Sequence, residues 1–239
     1  MLALSLLGAC EPAPPKPPAP VPTLPLVQPL LEPWSFLQNG RPDIARVRLR
    51  KLVPGDEWTA QSAFLMGLTY HAEDRYGKAL PWFEIACAAD DVYPPASHFR
   101  GWALYWLGRP ADARAAFEQH LLLTPDEGDS HFGIALIDIE AAQWNEAESR
   151  LLRAIELQHS DPDRVDGVAK SKARLAEVIE QRDHDLERAQ ALLAEALTLD
   201  TDLYEAGFRR ARLLRQLGRM HEAQTQESES EAIRLRVAP

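Results

Sequence analysis

The sequence predicts an all-α fold, a solenoid of stacked antiparallel helix pairs. Three observations predict it. Ala45, Ala79, Ala113 and Ala147 recur every 34 residues, and after an 8-residue insertion the series resumes at Ala189 and Ala223. A bulky apolar residue follows four positions later in five copies: Leu49, Phe83, Phe117, Leu151 and Leu193; the last copy has Glu227. A glycine followed by arginine stands five residues before the alanine in three copies, at Gly40-Arg41, Gly108-Arg109 and Gly218-Arg219. A fixed period in this range marks a repeat architecture.

Each element has a physical reason. Glycine lets the backbone take positive φ between two helices. Pro42 and Pro110, directly after the arginine, suit the first turn of the second helix, where a missing N–H costs nothing. The alanine permits close helix approach, and the Leu or Phe one turn later fills the space beside it. Twelve residues before the alanine stands another small residue in four copies: Gly67, Gly101, Ala135 and Ala211. Glu177 and Pro33 occupy that register in the other two. Small positions on both helices mark a helix A and a helix B that pack as a hairpin.

Period and pattern together resemble the tetratricopeptide repeat, over six units at about 26–59, 60–93, 94–127, 128–161, 170–203 and 204–237. The resemblance implies a right-handed superhelix occupying residues 34–239. Prolines truncate helix A of the first unit, and the polar last helix suits a solenoid end that meets water. Residues 162–169 are the insertion, read as a solvated loop or an added helical turn. Its Asp161, Asp163, Asp166 and Gly167 do not make a calcium loop, because the third acid is out of step and Lys172 holds the closing position.

The residues before the repeats have a different character. Leu7-Gly8-Ala9-Cys10 resembles the lipobox of bacterial lipoproteins, which implies a signal segment over 1–10 and a lipid on Cys10. Residues 11–33 carry ten prolines, which predicts an extended tether rising about 3.1 Å per residue. Glu11 after the cysteine implies the outer membrane, on the periplasmic side of a bacterial envelope.

Composition excludes some functions. A net charge of -10 and a pI of about 5.2 repel phosphate backbones, so nucleic acid is not an expected partner. No apolar run reaches the roughly 18 residues of a membrane-spanning helix. Cys10 and Cys87 lie in unrelated contexts and form no disulfide framework. The seven histidines show no zinc spacing, and no phosphate loop, dinucleotide fingerprint or nucleophile elbow occurs. The expectation is no enzyme, no metal, no cofactor and no small-molecule substrate.

The resemblance implies that a protein or peptide segment binds the concave face formed by helices A. The inward positions are Phe64, Leu68 and His71 in the second unit, and His98, Trp102, Tyr105 and Trp106 in the third. Phe132, Leu136 and Ile139 follow in the fourth, Arg174, Val178 and Arg182 in the fifth, and Phe208, Arg212 and Arg215 in the sixth. This makes one half of the groove aromatic and aliphatic and the other half basic. Tryptophan and tyrosine dominate binding hot spots. The expected function is an adaptor or assembly factor of the envelope, as in pilotins. The alternative is a scaffold that works through its convex face, cytoplasmic if the N-terminus is no signal.

Overall fold

A computed structural model describes residues 26–55, 57–89, 92–159 and 161–237. Twelve α-helices among these residues form six successive hairpins. They are α1 (Leu31–Gln38) with α2 (Pro42–Leu52), and α3 (Ala60–His71) with α4 (Tyr76–Ala88). Next come α5 (Pro95–Trp106) with α6 (Pro110–Leu123), and α7 (Gly128–Glu140) with α8 (Trp144–His159). Last are α9 (Val165–Asp183) with α10 (Leu186–Leu199), and α11 (Tyr204–Gln216) with α12 (Met220–Val237). Each helix packs on the next in sequence, and helices A also touch the helix A of the following pair from α1 to α9. The fold is an α-solenoid, and each pair hides its apolar side only by stacking on its neighbours.

The repeated alanines sit inside this stack. All six are buried, as are Leu49, Phe83, Phe117, Leu151 and Leu193. The close approach within a hairpin comes from volume matching between helices. A Cβ placed on Gly67 would lie 2.5 Å from the Phe83 ring, and one on Gly101 would lie 2.7 Å from the Phe117 ring. Phenylalanine on helix B therefore stands opposite glycine on helix A. In the fourth pair helix A has Ala135 in that register, and helix B has the smaller Leu151. Burying one such ring contributes about 1.5–3 kcal/mol.

The hairpin turns share one geometry. The residue five before each alanine has positive φ in all six pairs: Gly40, Asp74, Ala142, His184, Gly108 and Gly218 lie between +54° and +76°. In five of them two backbone bonds close the end of helix A, for example Arg109 N–H to Leu104 O at 3.0 Å and Gly108 N–H to Tyr105 O at 2.9 Å. This is a Schellman closure, which requires a left-handed residue after the helix. At the fifth pair the Asp185 side chain instead accepts from Arg188 N–H at 2.9 Å and caps α10. Asp74 is held by a hydrogen bond from the Tyr76 hydroxyl, at 2.8 Å.

Two expectations are refined. Residues 26–33, placed in the proline-rich tether, belong to the folded body: Gln28–Leu30 is a 3-10 turn, α1 begins at Leu31, and Leu26, Leu30 and Pro33 are buried. Proline tolerates the first turn of a helix, so Pro29 and Pro33 do not prevent it. The signal segment, Cys10 and residues 11–25 lie outside the described residues. The insertion is helical: a 3-10 turn at Pro162–Arg164 leads into α9, which reaches 19 residues. Its acids are occupied by the chain itself, Asp161 capping the Asp163 N–H at 2.9 Å and Asp166 pairing with Lys170 at 2.9 Å.

Ala142 adopts a left-handed backbone with no side-chain compensation, a conformation that disfavours a Cβ. Ala142→Gly should stabilise the fold by about 1 kcal/mol, read as a higher urea midpoint at unchanged slope; an unchanged or lower midpoint would contradict this account of the turn.

Candidate functional site

The concave face is built from helices A, and its character changes along each helix. Helices α3, α5 and α7 converge, so the residues in their middles are enclosed. Phe64, Leu68, His98, Trp102, Phe132 and Leu136 of these helices are buried, as are His71 at the end of α3 and Val178 of α9, with Phe64 at 0% and Trp102 at 1% exposure. These were expected to present side chains to a partner, and the structure places them inside instead. The physical reason is the contact between successive helices A, which turns their inner face into core. Trp102 packs edge-on against Phe117 at 5.3 Å and donates its indole N–H to His98 Nε2 at 3.0 Å. It supports the surface from below.

What reaches the surface lies one turn further on, at the C-terminal ends of helices A. Tyr105, Trp106 and Ile139 are half-buried. Tyr76, the first residue of α4, stacks on Trp106 with ring centroids 5.9 Å apart and planes 15° from parallel. Trp106 meets Tyr105 edge-on at 5.5 Å. The Tyr105 hydroxyl donates to Glu140 Oε1 on the next helix A, joining the third and fourth pairs. Burial, with Glu140 beside it, pushes the Tyr105 phenol well above its ordinary range. Tyr76, Trp106, Tyr105, Ile139 and Glu140 thus form a continuous aromatic ledge.

The basic half is not a bare positive strip. Arg174 and Arg209 both grip the buried Glu177, at 2.8 Å and 2.9 Å. Burial pushes the Glu177 carboxyl up, but the two guanidiniums outweigh it and the net shift is downward. Arg212 spans both oxygens of Glu180 at 2.8 and 2.9 Å. Arg182 bonds Glu148 at 2.6 Å and Asn145 at 3.0 Å, and Arg215 pairs with Glu227. Each of these five arginines is tied to a carboxylate of this chain, so a partner carboxylate has to share or displace one. Phe208 is half-buried beside Tyr204, ring centroids 6.4 Å apart. Periodicity identified Arg174, Arg182, Arg212 and Arg215 but neither Arg209 nor their mates: Glu177 stands where four other copies have Gly or Ala, while the register of Glu180 does hold an acid in the fourth copy, the buried Asp138.

Among the described residues no group of three or more His, Cys, Asp or Glu side chains has metal-holding geometry. Cys87 is half-buried, 3.7 Å from the Ser97 hydroxyl, and burial raises its thiol pKa. A thiol held protonated is a poor nucleophile.

No protein-family model matches the sequence, and no curated protein is significantly similar to it. The fold does match solved structures of tetratricopeptide type. PilW, a type IV pilus biogenesis factor, superposes with a TM-score of 0.71 at 16% identity, over 85% of this chain and 90% of that one. The Pseudomonas aeruginosa pilF protein gives 0.67 at 16% identity, over 88% and 90%. A chain of the APC/C hetero-tetramer Cut9-Hcn1 gives 0.75 at 16% identity, over 85% of this chain; the present chain spans 39% of its length. At such identities the likeness concerns the fold.

The division between support and surface is measurable. Trp102→Ala should cost about 3–5 kcal/mol of unfolding free energy, whereas Arg212→Ala, at a side chain 52% exposed, should cost at most about 1 kcal/mol. Equal losses in chemical denaturation would refute the assignment.

Proposed function

We propose that this chain is a non-catalytic protein-binding module of a bacterial envelope lipoprotein, anchored through Cys10 and acting as an adaptor or assembly factor. The carrying observation is the aromatic ledge. Tyr76, Tyr105 and Trp106 are large, partly exposed rings held rigid by stacking and by the Glu140 bond. Rigid aromatic surface of this kind supplies contact area at low entropic cost. A partner segment would lay apolar side chains against the rings and run on toward the Arg174–Glu177–Arg209 cluster. Those paired charges discriminate by geometry more than they add affinity. The Leu7-Gly8-Ala9-Cys10 run supports the anchor, and the fold shared with PilW supports a role in assembling an envelope machine.

A second reading has one observation in its favour. Leu122 and Leu123, at the end of helix B of the third pair, are 85% and 47% exposed, and adjacent open apolar side chains suit a contact on the convex face. In that reading the chain is a scaffold and the ledge is uninvolved.

Capture from solubilised envelopes separates the two. Trp106→Ala with Trp102 intact should lose at least tenfold of the co-purifying partner while the helical signal is retained, and Leu122→Ser should change nothing. The reverse pattern would replace the groove by the convex face. Cys10→Ala should move the protein out of the membrane fraction; a protein still bound to membranes would refute the anchor.

A further inference from the structure

The core beneath the ledge contains a chain of polar groups that the binding reading does not use. His120 of α6 occupies the register held by Ala86, Ala154 and Ala196 in other copies, seven residues after the repeated alanine. It is buried there, as are His98 of α5 and Ser130 of α7. His98 Nδ1 and His120 Nδ1 both lie 2.8 Å from the Ser130 hydroxyl. His98 Nε2 meets the Trp102 indole N–H at 3.0 Å, and His120 Nε2 meets the Thr124 hydroxyl at 2.9 Å. Three helices from two pairs are joined through one serine oxygen.

Proton bookkeeping fixes the direction of every bond. The Trp102 indole only donates, so His98 Nε2 accepts and the His98 proton sits on Nδ1. That proton goes to Ser130. The serine's own proton then goes to His120 Nδ1, and His120 donates from Nε2 to Thr124. Thr124 closes the chain by donating to the His120 backbone carbonyl at 3.0 Å. Every donor is used, and both imidazoles are neutral. A proton added to His98 would face the Trp102 N–H, donor to donor. A proton added to His120 would leave the serine hydroxyl between two donors. Either event orphans buried polar groups, which is costly in a low-dielectric interior.

We propose that the His98–Ser130–His120 chain is an acid-operated latch, which holds α7 against α5 and α6 near neutrality and releases it in mild acid. Ser130 lies on the helix that carries Ile139 and Glu140, and Trp102 on the helix that carries Tyr105 and Trp106. Opening therefore splits the ledge between the third and fourth pairs. The consequence for a bound partner rests on the groove reading; the opening itself does not.

The surroundings favour the neutral closed state. Burial holds the His98 imidazole well below its ordinary value, and His120, Arg164 and His71 push it the same way. Burial alone lowers His120 to about 4. His71 comes from α3 and Arg164 from the turn before α9. On α7 the acid next to Ser130 is Asp129, engaged by Gln158 at 2.6 Å and by Arg164. The rings of Phe99 and Phe117 face His98 from the remaining sides. The sign follows. Lowered pKa values mean that the open state takes up protons first. Opening is thus flat above the ordinary histidine value of about 6.5, grows as pH falls below it, and levels off below the closed-state values.

Amide hydrogen exchange on the full chain tests this, with each rate divided by the intrinsic chemical rate at that pH. The opening constant of α7 amides should rise by roughly tenfold per titrating histidine for each pH unit between 6 and 5. In His98→Gln/His120→Asn, which keeps an acceptor toward Trp102 and another toward Ser130, the rise should disappear. A flat profile in the wild type, or an undiminished rise in the folded double variant, would overturn the latch. Should that variant fail to fold, imidazole 15N shifts of the wild type decide. Two neutral rings, accepting at His98 Nε2 and at His120 Nδ1 until α7 opens, are expected. Protonation of either ring without amide opening would overturn it.

Discussion

The distance between the two helices of a hairpin governs this molecule. In the second and third pairs helix A offers glycine, helix B offers a phenylalanine ring, and the ring fills the space that a side chain would otherwise take. The pairs at Gly67 with Phe83 and Gly101 with Phe117 hold the two helices close, and the alanine one turn before each ring is fully buried. Interiors at crystal-like density tolerate little change at such points. Once the hairpin spacing is set, the left-handed turn, the stacking of one pair on the next and the curvature of the inner face follow.

That curvature decides which residues can meet a partner. Because α3, α5 and α7 touch one another, the middles of these helices are sealed and the exposed chemistry moves to their C-terminal ends. There Tyr105 and Trp106 stand on a floor of Trp102 and Phe117. The link from Tyr105 to Glu140 carries the surface across to the next pair. Further along, helix A of the fifth pair exchanges its small residue for Glu177, which is buried only because two arginines reach it. An isolated buried carboxylate would be costly, and the paired one is a fixed structural part.

Much of this was legible in the sequence, and the remainder was hidden for identifiable reasons. Alanines at a constant interval carry the architecture, because burial at each leaves no room for a larger side chain, and the glycine-arginine turns mark three of the six left-handed turns; Asp74, Ala142 and His184 hide the other three. Helical periodicity shows which side of a helix Phe64 or Trp102 occupies. It does not show how closely two helices A converge, so it could not tell core from surface there. Arg174 and Arg212 looked like open charges because their carboxylates come from one turn away or from a different pair. His120 did leave a trace: a bulky titratable side chain stands where three other copies have alanine. Recognising that departure needs the second small-residue register, seven residues after the first, as well as the first.

Volume coupling across the hairpin is measured by a double-mutant cycle at positions 101 and 117. Gly101→Ala should cost about 1–3 kcal/mol and Phe117→Leu about 1 kcal/mol. The smaller side chain should then make room for the added methyl, so the double variant should be more stable than the sum of the two losses by about 1 kcal/mol or more. Additive losses, within about 0.5 kcal/mol, would show that the ring and the glycine do not set the helix spacing.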